Sequence, residues 1–303
     1  MLTRTIAIQT PCHLKCNLEQ LVISYKHIKG QEAMPDRTVP LQDVGILLLD
    51  HQQISLTHYL IDKCMYHNIA LICTNTSHMP TGMLLNLDSN TIQSEKFKDQ
   101  INASEPLKKQ LWQQIIIAKI TNQAAVLAKY HSGAPSLLHY AAKVKSGDTA
   151  NCEGNAAAYY WQHLFNPAWN FYRRRDGDPP NNLLNYGYAI LRAITARAIV
   201  VAGLMPTLGI HHRNRYNAYC LADDLMEPYR PYVDAAVREI MMNTSHITEL
   251  TQTLKVALLK VPQTDVSIDG ETSPLLNAIQ RTANSIANCY MGKQRKLSLP
   301  QLQ

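Results

Sequence analysis

At 303 residues the chain can form one large domain or two modest ones, and its 46% apolar and 17% charged residues, with 12 Gly and 15 Pro, exclude long disorder and collagen-like or linker-rich classes. A formal charge of +6 and a pI near 8.9 favour polyanionic partners without requiring one. Seven cysteines at irregular spacing do not make a disulfide framework, and the first residues carry no secretory apolar region, so a reducing, cytoplasmic setting is expected.

Up to about Asp88 the chain reads as short strands, at Thr5–Gln9, Gln20–Tyr25, Thr38–Leu41, Gly45–Asp50 and Ile69–Thr74, rich in Ile, Val and Leu and punctuated by Gly30, Pro35 and Pro40. One helix interrupts them: Ser55 can cap a segment to about His67, with Leu56, Tyr59, Leu60 and Cys64 on one face. Cys12, His13 and Cys16 have zinc-like spacing, but no second pair follows, and Cys64 and Cys73 read as core thiols.

Past Ser94 the period becomes helical. Ser104 and Pro106 mark a helix start, followed by a stripe of Leu111, Ile115, Ile116, Ile120, Ala124 and Leu127. Further helices are expected at 134–145, 151–165, 180–204, 216–243, 246–259 and 272–291, the first running over 105–130. The apolar stretch from Leu183 to Ile210 contains Arg192 and Arg197 and reads as a buried central helix, not a bilayer span. The fold class is therefore α+β: a β-rich domain with one helix over residues 1–92, then an all-α domain over 93–303.

Glu153 opens an otherwise apolar, small-residue helix, where a charge calls for a compensating cation. His212 follows the Gly209 turn, and Asp224 and Glu227, three residues apart, share a helix face. Two carboxylates and one imidazole suit a hard divalent ion, Mg²⁺ or Mn²⁺. His211 and His212 point in different directions, and spacing does not decide between them; His212 is taken as the ligand. The same carboxylates can instead pair with Arg213, Arg215 or Arg230, and Glu153 can simply complement the helix dipole. Asp223, rotated about 100° from Asp224, faces solvent or a neighbouring helix.

Basic residues cluster at Arg173, Arg174 and Arg175 and at Arg213 and Arg215, beside the proposed ligands, and read as DNA-binding. No phosphate-binding loop, Gly-x-Gly-x-x-Gly, nucleophile elbow or zincin helix occurs.

Four ordered blocks converge on a family: Glu153-Gly-Asn-Ala-Ala-Ala-Tyr-Tyr-Trp161, Pro180-Asn-Asn-Leu-Leu-Asn-Tyr-Gly-Tyr-Ala-Ile-Leu191, Leu208-Gly-Ile-His-His212 and Leu221-Ala-Asp-Asp-Leu-Met-Glu-Pro-Tyr-Arg-Pro231. They resemble CRISPR-associated protein one, the metal-dependent endonuclease and integrase of spacer acquisition, over nearly the whole chain. The double histidine resembles the type II branch, found beside the large RNA-guided effector nuclease.

The resemblance implies a β-rich N-terminal dimerisation domain, a helical catalytic domain, and Glu153, His212 and Glu227 as catalytic ligands of Mg²⁺ or Mn²⁺, with Asp224 a fourth ligand or a group behind them. Some members carry Asp where Glu227 stands, which retracts the backbone here by about one methylene. The partners implied are DNA, as prespacer duplex and CRISPR repeat, a second copy in a homodimer, and the small ferredoxin-like CRISPR-associated protein two; no membrane is involved. The reaction implied inserts short foreign DNA into a CRISPR array by attack of a 3′-hydroxyl on a phosphodiester. The alternatives are a stand-alone divalent-metal nuclease for branched or single-stranded DNA and a non-catalytic DNA-binding scaffold.

Overall fold

Leu, Ile and Val runs near the N-terminus build two separate sheets. The computed structural model describes residues 4–25, 34–87, 90–130, 134–166, 169, 171–174, 177–244 and 247–302, and the chain divides into two units, Met1–Ser89 and Asn90–Gln303.

The first unit runs β1 (Arg4–Ile8), β2 (Cys12–Asn17), β3 (Gln20–Tyr25), β4 (Arg37–Pro40), β5 (Val44–Leu49), β6 (Ser55–Leu56), α1 (His58–Tyr66), β7 (Ala70–Thr74) and β8 (Pro80–Leu84). One sheet has the order β1-β5-β7-β8, parallel except for β7 and β8; its strand β5, Val-Gly-Ile-Leu-Leu-Leu, has the continuous apolar character of a strand covered on both faces. The other has the order β4-β3-β2-β6, with a tight β2–β3 hairpin whose turn residues Leu18 and Glu19 both take positive φ, at 48° and 58°. Leu14, Leu21, Leu47, Leu60, Cys64 and Leu71 close the core of this unit.

The first unit differs from the sequence reading in its strands and in its helix cap. Strand β2 is absent from that reading, as are β6 and β8, although Cys12-His13-Leu14-Lys15-Cys16-Asn17 alternates apolar and polar residues and buries Cys12 and Leu14. The helix cap is Thr57, whose hydroxyl accepts from Leu60 N–H at 3.2 Å, while Ser55 lies in β6 beside His13. The cysteines Cys12 and Cys64 are buried free thiols, and Cys73 is exposed.

The second unit runs α2 (Gln93–Asn102), α3 (Glu105–Tyr130), α4 (Ala134–Lys143), α5 (Cys152–Leu164), α6 (Asn181–Val201), α7 (Cys220–Met226), α8 (Arg230–Asn243), α9 (Gln252–Leu258), β9 (Asp265–Ile268), β10 (Glu271–Pro274), α10 (Leu275–Tyr290) and β11 (Pro300–Gln301). Helix α3 packs on α4 and α5, and α6 packs on α7, α8 and α10. Among the described residues no helix is long and apolar enough to cross a membrane.

The expectation of an all-α second half is corrected by a three-stranded antiparallel sheet, β10-β9-β11. Its hairpin turns at Asp269 and Gly270, both at positive φ (51° and 79°), an Asp-Gly signal that the helical reading of 272–291 passed over. The single helix expected over 216–243 is three pieces: α7, a 3₁₀ turn at Glu227–Tyr229, and α8. Pro228 and Pro231 have no N–H to continue an α-helical ladder, and the turn they impose re-aims Glu227.

Candidate metal centre and active site

Three polar side chains, Lys119, Asn122 and Gln123, lie on the otherwise apolar buried face of α3. Asn122 donates to the carbonyls of Pro228 and Pro300 at 2.8 and 3.1 Å and accepts from Leu302 N–H at 3.0 Å, which ties the Glu227–Tyr229 turn and β11 to α3. One turn earlier on the helix, the Lys119 ammonium stands 2.6 Å from Glu153 Oε1 and 2.7 Å from Glu227 Oε2. Two carboxylates far apart in sequence thus meet on one buried cation.

Glu153 is held at the start of α5. Asp148 accepts the N–H groups of Cys152 and Glu153, each at 2.9 Å, and Asn151 caps the helix by accepting from Gly154 N–H at 3.3 Å. These contacts satisfy donors that a helix start leaves open.

Glu227 is buried, and its Oε1 faces Arg230 Nε at 2.9 Å, one turn on. Burial pushes its carboxyl pKa up, but Arg230 and Lys119 outweigh burial and hold it below the ordinary value. The Lys119 ammonium is likewise opposed by burial and raised overall by Glu227 and Glu153. Although these ion-pair distances are short, Glu227 Oε2 and Arg230 Nε have no aligned hydrogen-bond partner. Both pairs are held by charge.

Asp224, fully buried on α7, accepts four N–H groups: the backbones of Ile210 (2.6 Å), His211 (3.0 Å) and His212 (3.2 Å), and the His212 ring Nδ1 (2.6 Å). A carboxylate used in this way organises the loop and fixes His212, leaving its Nε2 unprotonated for a ligand whenever the ring is neutral. The hydrogen bond to Asp224 raises the His212 pKa against the opposing effect of burial, and the charges of Asp224, Glu227 and Asp223 act in the same upward direction. The neighbouring imidazole is differently engaged: His211 stacks on Trp112, with ring centres 4.2 Å apart and planes 2° from parallel. Asp223 faces α6, paired with Arg192 at 2.6 and 3.0 Å.

The donor set fits a hard divalent cation, since two carboxylates already converge on one positive charge and an imidazole is oriented through its other nitrogen. As the side chains stand, no group of three or more His, Cys, Asp or Glu among the described residues is placed to hold a metal ion. Lys119 occupies the gap between Glu153 and Glu227, and His212 lines a different cavity, of about 450 Å³, from the one of about 170 Å³ lined by Lys119, Glu227 and Arg230.

Of the arginines expected to face DNA, Arg174, Arg213 and Arg215 are exposed. Arg213 pairs with Glu105 at 2.5 Å, and Arg215 lies over the Tyr216 ring at 4.6 Å. Arg173 is committed inward: it donates to Asn181 at 2.9 Å and Asn185 at 2.7 Å, packs over Tyr188, and has its pKa lowered by burial. Arg175 lies outside the described residues.

The family model for CRISPR associated protein Cas1 matches residues 6–260. The chain belongs to the Cas1 family. It is 35% identical to the CRISPR-associated endonuclease Cas1 of Neisseria meningitidis serogroup C (strain 8013), over 100% of this chain and 97% of that one. Its fold is similar to that of a casposase bound to integration product, with a TM-score of 0.79 and 21% identity over 98% of this chain and 92% of that one. It is also similar to a Cas6-RT-Cas1–Cas2 complex chain, with a TM-score of 0.69 and 19% identity, covering 97% of this chain and 36% of that one.

Within this Cas1-family chain, Lys119 is the site residue that sequence reasoning passed over. The signal was present: it falls at i+4 from Ile115 and i+3 from Ile116, a charge on the face of a helix that reads as buried.

Proposed function

We propose that this Cas1-family chain is a divalent-metal-dependent DNA endonuclease and integrase that inserts short foreign DNA segments into a CRISPR array. The observation that carries the reading is the meeting of Glu153 and Glu227 on one buried cation beside a loop in which Asp224 fixes His212. Glu153, Glu227 and His212 would hold the ion, Mg²⁺ or Mn²⁺. When bound, it polarises the scissile phosphate and stabilises the attacking or leaving oxygen.

In the reaction, the 3′-hydroxyl oxygen of the incoming duplex forms a bond to phosphorus, and the bond from phosphorus to the 3′-oxygen of the repeat strand breaks. The proton lost by the attacking hydroxyl is balanced by the one the released hydroxyl gains. Bonds made and broken are alike, so no nucleotide triphosphate is consumed; water in place of the hydroxyl gives strand cleavage. Arg174, Arg213 and Arg215 supply exposed guanidinium groups for phosphates outside the pocket. Asp224 acts through His212, keeping the imidazole in one tautomer and direction.

The partners proposed are the prespacer duplex and CRISPR repeat, a second copy through the β-rich unit, and the small CRISPR-associated protein two, in the cytoplasm of a cell with a type II system. The casposase neighbour is described with an integration product, and another neighbour in a complex with Cas2, which supports this choice.

The test is an integration assay on a CRISPR-repeat duplex with and without protein two, in EDTA and in Mn²⁺. Strand transfer that needs both metal and partner is expected. Cleavage independent of the partner points to a stand-alone nuclease, and chelator-insensitive DNA binding without strand transfer points to a scaffold.

A further inference from the structure

We propose that Lys119 is the resident cation of this pocket: it holds Glu153 and Glu227 together until a divalent ion arrives, and its displaced ammonium then pairs with an anionic phosphate, so that metal and DNA bind cooperatively. This rests on the metal reading above and goes beyond it by assigning a positioning residue and an order of events.

Three observations carry it. Lys119 takes an oxygen from each of the two carboxylates proposed to hold the ion, at 2.6 and 2.7 Å, so ion and ammonium compete for the same oxygens. The Glu227 contact is an ion pair with a carboxylate oxygen, the kind of oxygen a hard divalent ion binds through its lone pair. Lys119 is buried, with Arg230 also in the pocket, so an ion entering beside both adds positive charge to a poorly hydrated space. A phosphodiester restores the balance. Each ligand thereby lowers the cost of binding the other, which is a coupling free energy and is reciprocal.

The prediction is read by titrating the full chain with Mn²⁺, following free Mn²⁺ by electron paramagnetic resonance, with and without a short blunt DNA duplex and after subtracting a duplex-only blank. The wild-type chain is expected to bind Mn²⁺ about tenfold more tightly with the duplex, within the range usual for coupled sites. Lys119→Met is expected to bind Mn²⁺ more tightly than wild type without DNA and to lose most of the coupling. Its thermal midpoint should rise more on Mn²⁺ addition than that of the wild type, because the metal replaces the missing charge. Lys119→Arg, which keeps a cation, should retain coupling.

Equal wild-type Mn²⁺ affinity with and without duplex overturns the proposal while leaving the metal site standing, and this arm needs no variant. No Mn²⁺ binding by any form, with or without duplex, overturns the metal reading itself and this proposal with it.

Discussion

Asp224 grips His212 twice, through its backbone N–H at 3.2 Å and its ring Nδ1 at 2.6 Å, while the other oxygen takes the N–H groups of Ile210 and His211. The loop bearing the imidazole is therefore shaped by a carboxylate twelve residues further on. Asp224→Asn turns one acceptor into a donor facing N–H groups. It is expected to lower Mn²⁺ affinity and strand transfer by about 10–100-fold, as removal of a group supporting a metal-bound histidine does. The loss of stability should be about 1–3 kcal/mol. Unchanged Mn²⁺ binding together with unchanged strand transfer would remove the orienting role.

Gly209 sits where that loop closes most tightly. A Cβ there meets the His212 carbonyl and comes within 2.8 Å of Asp224 Oδ2 and 3.0 Å of Cys220 Cβ. Backbone cannot yield as a side-chain tip does, so Gly209→Ala should shift the loop, with a stability loss of about 1–3 kcal/mol. Strand-transfer rate and thermal midpoint measured together check this: both should fall, and a variant with wild-type values in both contradicts the close approach.

Glu153→Ala, His212→Ala and Glu227→Ala should each abolish strand transfer, yet their stabilities should differ. The Glu227 side chain is 5% exposed and faces two cations, whereas that of Glu153 is 26% exposed and faces one. Breaking a buried pair by removing one partner costs about 3–5 kcal/mol, so Glu227→Ala should melt roughly 10 °C below wild type. Glu153→Ala should melt closer to it. Calorimetric scans in EDTA separate the two, and equal midpoints would mean that Glu227 is not the buried anchor of the ion-pair group.

Asp234, buried on α8, accepts from the Tyr160 and Tyr188 hydroxyls. Burial pushes its carboxyl up to about 7, with the two tyrosines, Arg230 and Arg173 pulling in the opposite direction. The unfolded chain loses this proton near pH 4 and the folded chain near pH 7, so between those values the folded state binds more protons. Stability from this group is thus intact below about pH 4, falls as pH rises to about 7 by at most ~1.4 kcal/mol per pH unit, and is flat beyond. The difference in thermal midpoint between the wild type and Asp234→Asn, followed from pH 4.5 to 8, should show that decline. A pH-independent difference would place the Asp234 pKa near its ordinary value.

Much of this was legible in the residues because it depends on local periodicity. The apolar run of β5, the stripe of α3 and the central helix α6 follow from patterns that local burial imposes. The breaks were less legible. Pro228 and Pro231 divide the region from α7 to α8 where helical periodicity continues through it, and the Asp269-Gly270 turn lies between the helices read at 246–259 and 272–291, with β10 taking the start of the second.

The chain's own order of residues was enough to specify its family, its change from strands to helices and the residue types proposed for a metal site. Which groups meet was decided only by packing. Asn122 fastens the Glu227 turn to α3, which brings Glu227 to Lys119, and Asp148 sets Glu153 on the other side of the same ammonium. Periodicity reports the face on which a side chain lies, but a charge balance among residues 119, 153, 227 and 230 exists only once α3, α5 and the turn leading into α8 are folded against one another.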